Sequence, residues 1–244
     1  MHNIKMTIAY EGTAYAGFQR QTNAVSVQAV LEECLNRLCG EEINLIGAGR
    51  TDAGVHALGQ VANFRTGARI PASRMAPALN NLLPRDIAVI EAEEVEFEFH
   101  ARQAAKSKTY TYRIWRPFVR PVFERGLVYH FPRHLDLPAI EAATRMLVGK
   151  KDFATFCSAG SFVRTSTRTI LNAGWEERGE VLVFTVTADG FLYHMVRNIV
   201  GTLIQVGLGR WQPEWIQTLL QRGDRTLAGP TVPPGGLFLE RVDY

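Results

Sequence analysis

The stretch INLIGAGRTDAGVHALGQVANF, Ile43 to Phe64, indicates how this chain folds around its most unusual loop. Apolar, β-prone segments stand at both ends, INLIGAG before the loop and QVANF after it. The glycine-rich middle therefore joins or interrupts two strands and does not open a long helix. This places the acid of the loop, Asp52, at the edge of a sheet, with Arg50 two residues before it and His56 four residues after it.

Strand and helix patterns are mixed along the rest of the chain. KMTIAY, KSKTYTYRIW, VLVFTVT and GLFLERVDY are predicted strands. After Ser26, a predicted N-cap, apolar residues recur at helical spacing until Gly40, which predicts an amphipathic helix. Residues 188–207, ADGFLYHMVRNIVGTLIQVG, predict a second helix with a broad apolar stripe that includes Leu192, and Arg197 lies off that stripe.

This order of elements predicts the fold class and the domain organisation. Each half of the chain holds strands, an amphipathic helix and a final strand, without the regular strand–helix alternation of a doubly wound fold. We therefore predict an α+β protein of two domains. Residues 1–104 form the N-terminal α+β domain with the Asp52 loop, and residues 105–244 form the C-terminal α+β domain that completes the active-site cleft.

Length and cysteine content limit the class of protein. A chain of 244 residues can bury a substantial core without disulfides. Its 3 cysteines show neither CxxC nor Cys/His ligand spacing, which argues against a secreted disulfide framework and a zinc site. The sequence has no basic segment followed by a long apolar run at its start and no apolar stretch of membrane-spanning length. We expect a soluble, cytoplasmic protein that does not associate with membranes.

Charge is distributed unevenly, although the net charge is only +3. From His100 to Arg133 there are 8 Lys or Arg residues and one acid, whereas Asp86 to Phe99 carries 6 acids and no base. Of the 27 basic residues 22 are arginine, whose planar side chain suits phosphate and stacking contacts. A nucleic-acid partner and an ordinary solvated basic face explain this pattern equally well.

The common cofactor and metal motifs are missing from the sequence. GxGxxG is broken because Asp52 stands at its sixth position, and no P-loop, HExxH, GxSxG or zinc-deaminase signature is present. We therefore expect no cofactor and no metal. The nearest acid before Asp52 is Glu42, ten residues earlier, which disfavours a glycosidase with two carboxylates.

A single carboxylate among glycines remains to be explained. Gly47, Gly49 and Gly54 would allow backbone and substrate to approach closely. An ionised acid in such a loop suits nucleophilic attack on carbon or stabilisation of a cationic sugar centre, and it does not suit phosphoryl transfer. The alternative is structural, with Asp52 as an Asx-turn or N-cap residue. The residue pattern alone leaves both interpretations open.

Five sequence blocks, in order, resemble the TruA family of tRNA pseudouridine synthases. They are YEGTAYAGFQRQ, GAGRTDAGVHALGQVANF, FHARQAAKSKTYTYRIW, FLYHMVRNIVG and PPGGLFLERVDY, which together span almost the whole chain. The first block departs slightly from the family, because Phe18 stands where tryptophan is usual and Tyr15 where phenylalanine is usual. Both positions keep an aromatic ring.

The resemblance implies a fold, a reaction and partners. The fold would be two ferredoxin-like (RRM-like) halves forming a central antiparallel sheet flanked by helices. The reaction would isomerise uridine to pseudouridine at positions 38, 39 and 40 in the anticodon stem-loop of tRNA. The enzyme would break the N1–C1′ bond, turn the freed uracil and rejoin it through C5, without cofactor or metal. Family members are homodimers with tRNA lying across both subunits.

The resemblance also implies roles for individual residues. Asp52 would be the catalytic aspartate, which attacks the sugar, attacks the base or removes a sugar proton. Tyr110 would pack against the target uracil, Arg197 would pair with the catalytic carboxylate, and Arg50 would help to extrude the target nucleotide. Leu237 would line the base pocket. For His56 we expect a structural hydrogen bond and no catalytic role.

A grip on the tRNA backbone would give the basic residues a purpose, and it should weaken as salt rises. By charge alone the candidates are Arg102, Lys106, Lys108, Arg113, Arg116, Arg164 and Arg168.

Two functions of other classes stay open. One is a non-catalytic RNA-binding module of the same fold, which would not need Asp52. The other is a hydrolase that releases free base from nucleosides or RNA.

Overall fold

The computed structural model describes residues 1–160 and 164–244, which form two compact units. Unit 1 comprises Met1–Lys106 and Phe238–Tyr244, and unit 2 comprises Ser107–Leu237. The last residues of the chain thus belong with its N-terminal part. The assignment of two functional domains to residues 1–104 and 105–244 stays a prediction.

Unit 1 has the β-α-β-β-α-β order of a ferredoxin-like fold. Its elements are β1 (His2–Tyr10), α1 (Val27–Cys39), β2 (Ile46–Gly47), β3 (His56–Thr66), α2 (Ala72–Asn80) and β4 (Ile87–Val95). The strands are ordered β4-β1-β3-β2 and all of these pairs are antiparallel. The terminal strand β10 (Leu237–Asp243) runs parallel to β3, with Phe238 opposite His56.

The helix predicted after Ser26 is confirmed as α1. The side chain of Ser26 accepts a hydrogen bond from the backbone N–H of Ala29, and Gly40 ends the helix in the left-handed conformation with φ 70°. Leu31 and Leu35 on its apolar face are fully buried. Since the segment from residue 26 to 40 has caps and periodicity that agree, its local sequence is sufficient to predict it.

Unit 2 contains the strands of the central part of the chain. Its elements are β5 (Ser107–Trp115), β6 (Tyr129–His130), α3 (Leu137–Arg145), β7 (Gly149–Asp152), β8 (Thr167–Arg178), β9 (Val181–Ala188), α4 (Met195–Gly207) and α5 (Trp215–Arg222). The strand order is β5-β9-β8-β7 with antiparallel pairs, and β6 is parallel to β5. Helices and largely antiparallel strands in both units confirm the α+β prediction. Within the described residues, no helix has the length and apolar character needed to cross a membrane.

Two predictions from local patterns were too long. The segment INLIGAG contributes only the two-residue strand Ile46–Gly47, and the chain bends at Ala48. The helix predicted over residues 188–207 begins only at Met195. His194 has a φ of 60°, the left-handed conformation that stops a right-handed helix from extending backwards. Leu192 is buried, yet it lies before the helix.

An irregular segment after α5, residues 228–233, lies across α4, and we call it the crossing segment. The backbone N–H of Gly229 donates to Oγ1 of Thr202 at 2.9 Å. A Cβ atom on Gly201 would overlap the carbonyl oxygen of Pro230. Glycine at position 201 therefore allows the two backbones to lie in direct contact.

Replacing Gly201 by alanine should destabilise the protein. Glycine-to-alanine in a helix interior normally stabilises, but here the new methyl group must displace the crossing segment, which we expect to cost about 1–3 kcal/mol. The free energy of unfolding from urea titration measures the effect. Gly174→Ala in β8 is the control, because no atom lies within 4 Å of its added Cβ. A Gly201→Ala variant as stable as Gly174→Ala would contradict the close contact.

Candidate active site

Asp52 lies on a tight turn at the entrance to β3, in the segment of residues 48–55 that we call the Asp52 turn. The backbone N–H of Val55 donates to the carbonyl oxygen of Asp52 at 3.1 Å, and Gly54 has a φ of 75°. The turn is joined to the sheet by the N–H of Ala48, which donates to the carbonyl of Val61 at 2.7 Å. The Asp52 side chain is half-buried. The turn therefore presents a carboxylate from a fixed backbone.

The loop between β1 and α1, residues 11–26, packs against this turn, and we call it the first loop. Its residue Phe18 donates a backbone hydrogen bond to the carbonyl of Thr51 at 3.2 Å. In the other direction, the N–H of Gly54 donates to the carbonyl of Tyr15 at 3.3 Å. Backbone hydrogen bonds thus hold the chain on both sides of Asp52, because Thr51 precedes it and Gly54 follows it closely.

Glycines in the first loop make this contact sterically possible. A Cβ on Gly12 would overlap the carbonyl oxygen of Val55, and a Cβ on Gly17 would overlap that of Thr51. Gly17 also has a φ of 96°, which side chains rarely tolerate. Among the glycines of the quoted stretch, Gly47 leaves room for the ring of Phe18, which would meet a Cβ there. The glycines of this region therefore serve backbone and ring packing around the carboxylate.

Two buried side chains from the strands anchor the Asp52 turn. The hydroxyl groups of Tyr10 and Thr51 lie 2.8 Å apart in a buried hydrogen bond. The amide of Gln60, itself fully buried, donates to the carbonyl of Gly49 at 3.1 Å. Burial raises the pKa of the Tyr10 phenol, so this anchor stays uncharged at neutral pH. Side chains of β1 and β3 thus anchor the Asp52 turn to the sheet.

His56 has the structural hydrogen bond expected for it. The backbone N–H of Gly12 donates to its Nδ1 at 3.0 Å, which requires Nδ1 to be unprotonated. Its ring stacks on Phe238 with centroids 4.7 Å apart, and the side chain is 1% exposed. This histidine ties the first loop and β10 to the start of β3.

Arg50 lies exposed at the edge of the Asp52 turn. Its Nε donates to Oε1 of Gln19 in the first loop at 3.2 Å. Gln19 donates in turn to the buried Gln28 of α1 at 2.7 Å, and Gln28 donates to the buried carboxylate of Glu32 at 3.0 Å. The Nε edge of the Arg50 guanidinium is thus held by the first loop, although the residue as a whole is exposed. Its role in nucleotide extrusion stays a prediction.

The other predicted site residues, Tyr110, Arg197 and Leu237, belong to unit 2. Tyr110 lies in β5 and is 7% exposed, with its ring edge-on to Phe191 at a centroid distance of 5.0 Å. Leu237 is buried at the start of β10, directly after the turn that ends at Gly236. The roles proposed for these residues toward a base are not tested by these positions.

Arg197 lies in the first turn of α4, where the crossing segment limits its freedom. Its Nε donates to the carbonyl oxygen of Val232 at 2.8 Å. The fully buried Tyr112 donates to the next carbonyl, that of Pro233, at 2.8 Å. Burial raises the pKa of the Tyr112 phenol, and the positive charge of Arg197 opposes this increase. A neutral tyrosine and a helix therefore position this arginine.

The basic residues suggested as phosphate contacts differ in solvent exposure and in the partners of their side chains. Arg102, Lys106 and Arg164 are exposed. Arg116 forms an ion pair with Glu177 at 2.5 Å, and Arg168 donates to the carbonyl of Thr167. In the part of the chain that the structure describes, no group of three or more His, Cys, Asp or Glu could hold a metal ion.

Sequence reasoning missed the residues that support the site. Tyr10, Gln60 and the glycines of the first loop were not identified as supports, although YEGTAYAGFQRQ is one of the five blocks of the family resemblance. Likewise Asn198, beside Arg197, was not singled out, yet it is fully buried and bonded on both sides of its amide. A buried polar residue within an apolar helix pattern was the available signal.

Comparison with known proteins gives a consistent result. A sequence model described as tRNA pseudouridine synthase matches residues 6–102 and 143–244. The tRNA pseudouridine synthase A of Caldicellulosiruptor saccharolyticus is 45% identical over 244 residues, which is 100% of each chain. That of Moorella thermoacetica is 49% identical over 243 residues, or 99% of each chain. A protein of Clostridium perfringens called tRNA pseudouridine synthase A 2 is 46% identical over 244 residues, again 100% of each.

Among solved structures, one chain titled "Crystal Structure of a Cbf5-Nop10-Gar1 Complex" matches with a TM-score of 0.34 and 11% identity, over 82% of this chain and 54% of that one. That likeness is too weak to carry an argument. The sequence matches, by contrast, cover both units, and they confirm the family that the five blocks resembled. The chain belongs to the tRNA pseudouridine synthase family.

Proposed function

We propose that this chain isomerises uridine to pseudouridine at positions 38, 39 and 40 in the anticodon stem-loop of tRNA, with Asp52 as the catalytic carboxylate. Membership of the tRNA pseudouridine synthase family supports the reaction and the tRNA substrate. The role of Asp52 rests on the fixed position of its turn. The first loop holds the backbone on both sides of Asp52, and Tyr10 and Gln60 anchor the turn to the strands. Such rigidity suits a group that must meet a reacting atom at a fixed distance.

The reaction needs little beyond that carboxylate. The N1–C1′ bond breaks, the uracil turns, and a C5–C1′ bond forms while C5 loses a proton and N1 gains one. Every atom of the nucleotide is kept, so the proposal requires neither cofactor nor metal. An acid in this position can attack C1′, attack the base or remove a sugar proton.

Four further residues have proposed roles in the same reaction. Tyr110 packs against the uracil, and Arg197 pairs with the catalytic carboxylate and orients it. Arg50 takes the place of the extruded nucleotide, since the target must leave the helical stack before it can react. Leu237 lines the pocket for the base. The hydrogen bonds at Nε of Arg197 and of Arg50, which restrain both side chains, support these roles.

We also propose that the protein works as a cytoplasmic homodimer. Its substrate is tRNA, which supports the location. A loop between β5 and β6 supports the dimer, because two of its phenylalanines are almost fully accessible: Phe118 is 90% and Phe123 is 93% exposed. Val119 and Val122 beside them are 73% and 60% exposed. Apolar side chains grouped in this way mark a surface that another protein covers, and a second copy of the chain is the partner that the family resemblance implies.

Replacing Asp52 by asparagine should abolish the chemistry without removing the RNA. The amide keeps the shape of the side chain but cannot act as a nucleophile or base, so we expect pseudouridine formation to fall at least ~1000-fold. The affinity for tRNA should change by less than about threefold, since phosphate contacts dominate it. The measurement maps pseudouridine in an unmodified anticodon stem-loop after incubation in chelator-treated buffer.

Asp136→Asn is the matched control for that experiment, because asparagine can replace aspartate as the N-cap of α3. Equal product from wild type and Asp52→Asn would remove Asp52 from the chemistry. Tight tRNA binding without product from any variant would favour the non-catalytic RNA-binding module. Free uracil as the product would indicate a hydrolase.

Replacing both Phe118 and Phe123 by serine should weaken the homodimer at least about a hundredfold, because two large apolar side chains would no longer be buried on association. Sedimentation velocity at micromolar concentration measures the dissociation constant. The control is Ile90→Ser, which removes an apolar side chain that is 58% exposed on β4. A wild type that sediments as a monomer, or a double variant that still dimerises fully, would contradict this proposal.

A further inference from the structure

A buried polar cluster surrounds Asn198, the residue after Arg197 on α4. The Asn198 side chain is 0% exposed. Its Nδ2 donates to the carbonyl of Phe156 at 2.9 Å and to Oγ of Ser158 at 3.2 Å. Its Oδ1 accepts from Nη2 of Arg225 at 2.9 Å and from the hydroxyl of Thr231 at 2.6 Å. The amide therefore uses both donors and both acceptor sites, so its orientation is fixed.

Arg225 contributes a positive charge to this cluster without a carboxylate partner among the described residues. Its Nη2 donates to Asn198 and also to Oγ1 of Thr231 at 3.0 Å, and Nη1 lies 3.5 Å from the carbonyl of Ala228. Partial burial of a charge that is balanced only by neutral oxygens costs free energy. Well-packed apolar residues of similar size would often stabilise the folded state at least as well as such a cluster.

The cluster is connected to Arg197 through the crossing segment. Thr231, which receives one hydrogen bond from Arg225 and donates one to Asn198, immediately precedes Val232. The carbonyl of Val232 accepts from Nε of Arg197 at 2.8 Å, and its N–H donates back to the carbonyl of Arg197 at 3.4 Å. Arg225 is thus connected to the guanidinium of Arg197 by a hydrogen bond to Thr231, by the chain from Thr231 to Val232, and by a hydrogen bond from Arg197 to Val232.

The position of the Val232 carbonyl determines how the Arg197 guanidinium is aimed. A hydrogen bond at Nε restricts the directions in which the planar guanidinium can present its two terminal nitrogens. A carboxylate recognised by those nitrogens is then met within a narrower range of geometries. If the crossing segment shifted, Nε would lose this acceptor and the guanidinium would be less restrained.

We propose that Asn198, Arg225 and Thr231 are positioning residues for the isomerase reaction, which orient Arg197 by holding the Val232 carbonyl over the start of α4. This inference rests on the proposed role of Arg197 as the partner of the catalytic carboxylate. It assigns a reason to the half-buried charge of Arg225 and to the buried amide of Asn198, which lie outside the set of residues identified from the sequence.

Thr231→Val is the test, because it removes the shared hydroxyl and keeps the size of the side chain. We expect the single-turnover rate of pseudouridine formation to fall about tenfold, since a displaced guanidinium no longer meets the carboxylate correctly. The dissociation constant for tRNA should stay within about twofold, because the phosphate contacts are unchanged. Thr231→Ser, which restores the hydroxyl, should recover the rate.

Arg225→Lys is a second test, which can be used if the Thr231→Val variant fails to fold. Lysine keeps the positive charge but cannot make the paired hydrogen bonds of the guanidinium, so this variant should slow the reaction as Thr231→Val does.

Thr144→Val is the matched control for stability. Thr144 is a buried threonine of unit 2 whose hydroxyl, like that of the half-buried Thr231, makes two hydrogen bonds. It donates to the carbonyl of Ile140 at 2.8 Å and accepts from Trp175 at 2.9 Å. This variant should lower the melting temperature to a similar extent and leave the rate unchanged. A Thr231→Val rate no lower than that of Thr144→Val would overturn the proposal.

Two further readouts separate positioning from mere stability. In an Arg197→Lys background, Thr231→Val should cause no further loss of rate, whereas an independent tenfold loss would overturn the proposal. Solvent exchange of the Arg197 Nε–H, followed by NMR, should become about tenfold faster in Thr231→Val, and an unchanged exchange rate would also overturn it. The NMR measurement does not depend on activity, so it tests the positioning of Arg197 even in a protein that makes no pseudouridine. A wild type that makes no pseudouridine would refute the proposed function, whereas an unchanged exchange rate would refute only the positioning.

Discussion

The backbone contact between the first loop and the Asp52 turn is the constraint on which the candidate site in unit 1 depends. Gly12 and Gly17 let the loop lie directly against the carbonyl groups of Val55 and Thr51, and backbone hydrogen bonds close the contact on both sides of Asp52. A turn held in this way loses little conformational entropy when a substrate arrives.

Arg197 in unit 2 is restrained in a similar way by different groups. There the crossing segment replaces the first loop, Gly201 supplies the close approach, and a neutral acceptor, the Val232 carbonyl, directs the charged side chain. In both units an irregular segment is pinned to a regular element by a glycine contact and by buried hydroxyl or amide groups. The side chains with proposed chemistry are thus supported by a second set of residues that touch no reacting atom.

Buried phenols support both arrangements. Burial raises the pKa of the phenols of Tyr10 and Tyr112, so both hydroxyl groups stay protonated and donate or share hydrogen bonds at neutral pH. Several basic side chains, among them Arg102, Lys106 and Arg164, are exposed to solvent.

The sequence by itself was sufficient for the α+β class, the capped helix α1, the strand β5 and the family, because caps, periodicity and motifs are local and lie in contiguous residues. It also singled out Asp52 as a carboxylate in an unusual loop. It could not show that the helix at Arg197 begins only after His194, that Leu192 precedes it, or that β10 pairs with β3. The residues that support Asp52 and Arg197 could not be predicted either. Gly12 contacts Val55, and Arg225 contacts Asn198, only after distant segments pack together. Those contacts depend on tertiary structure because a glycine or a buried amide has no local signature until its partner is in place.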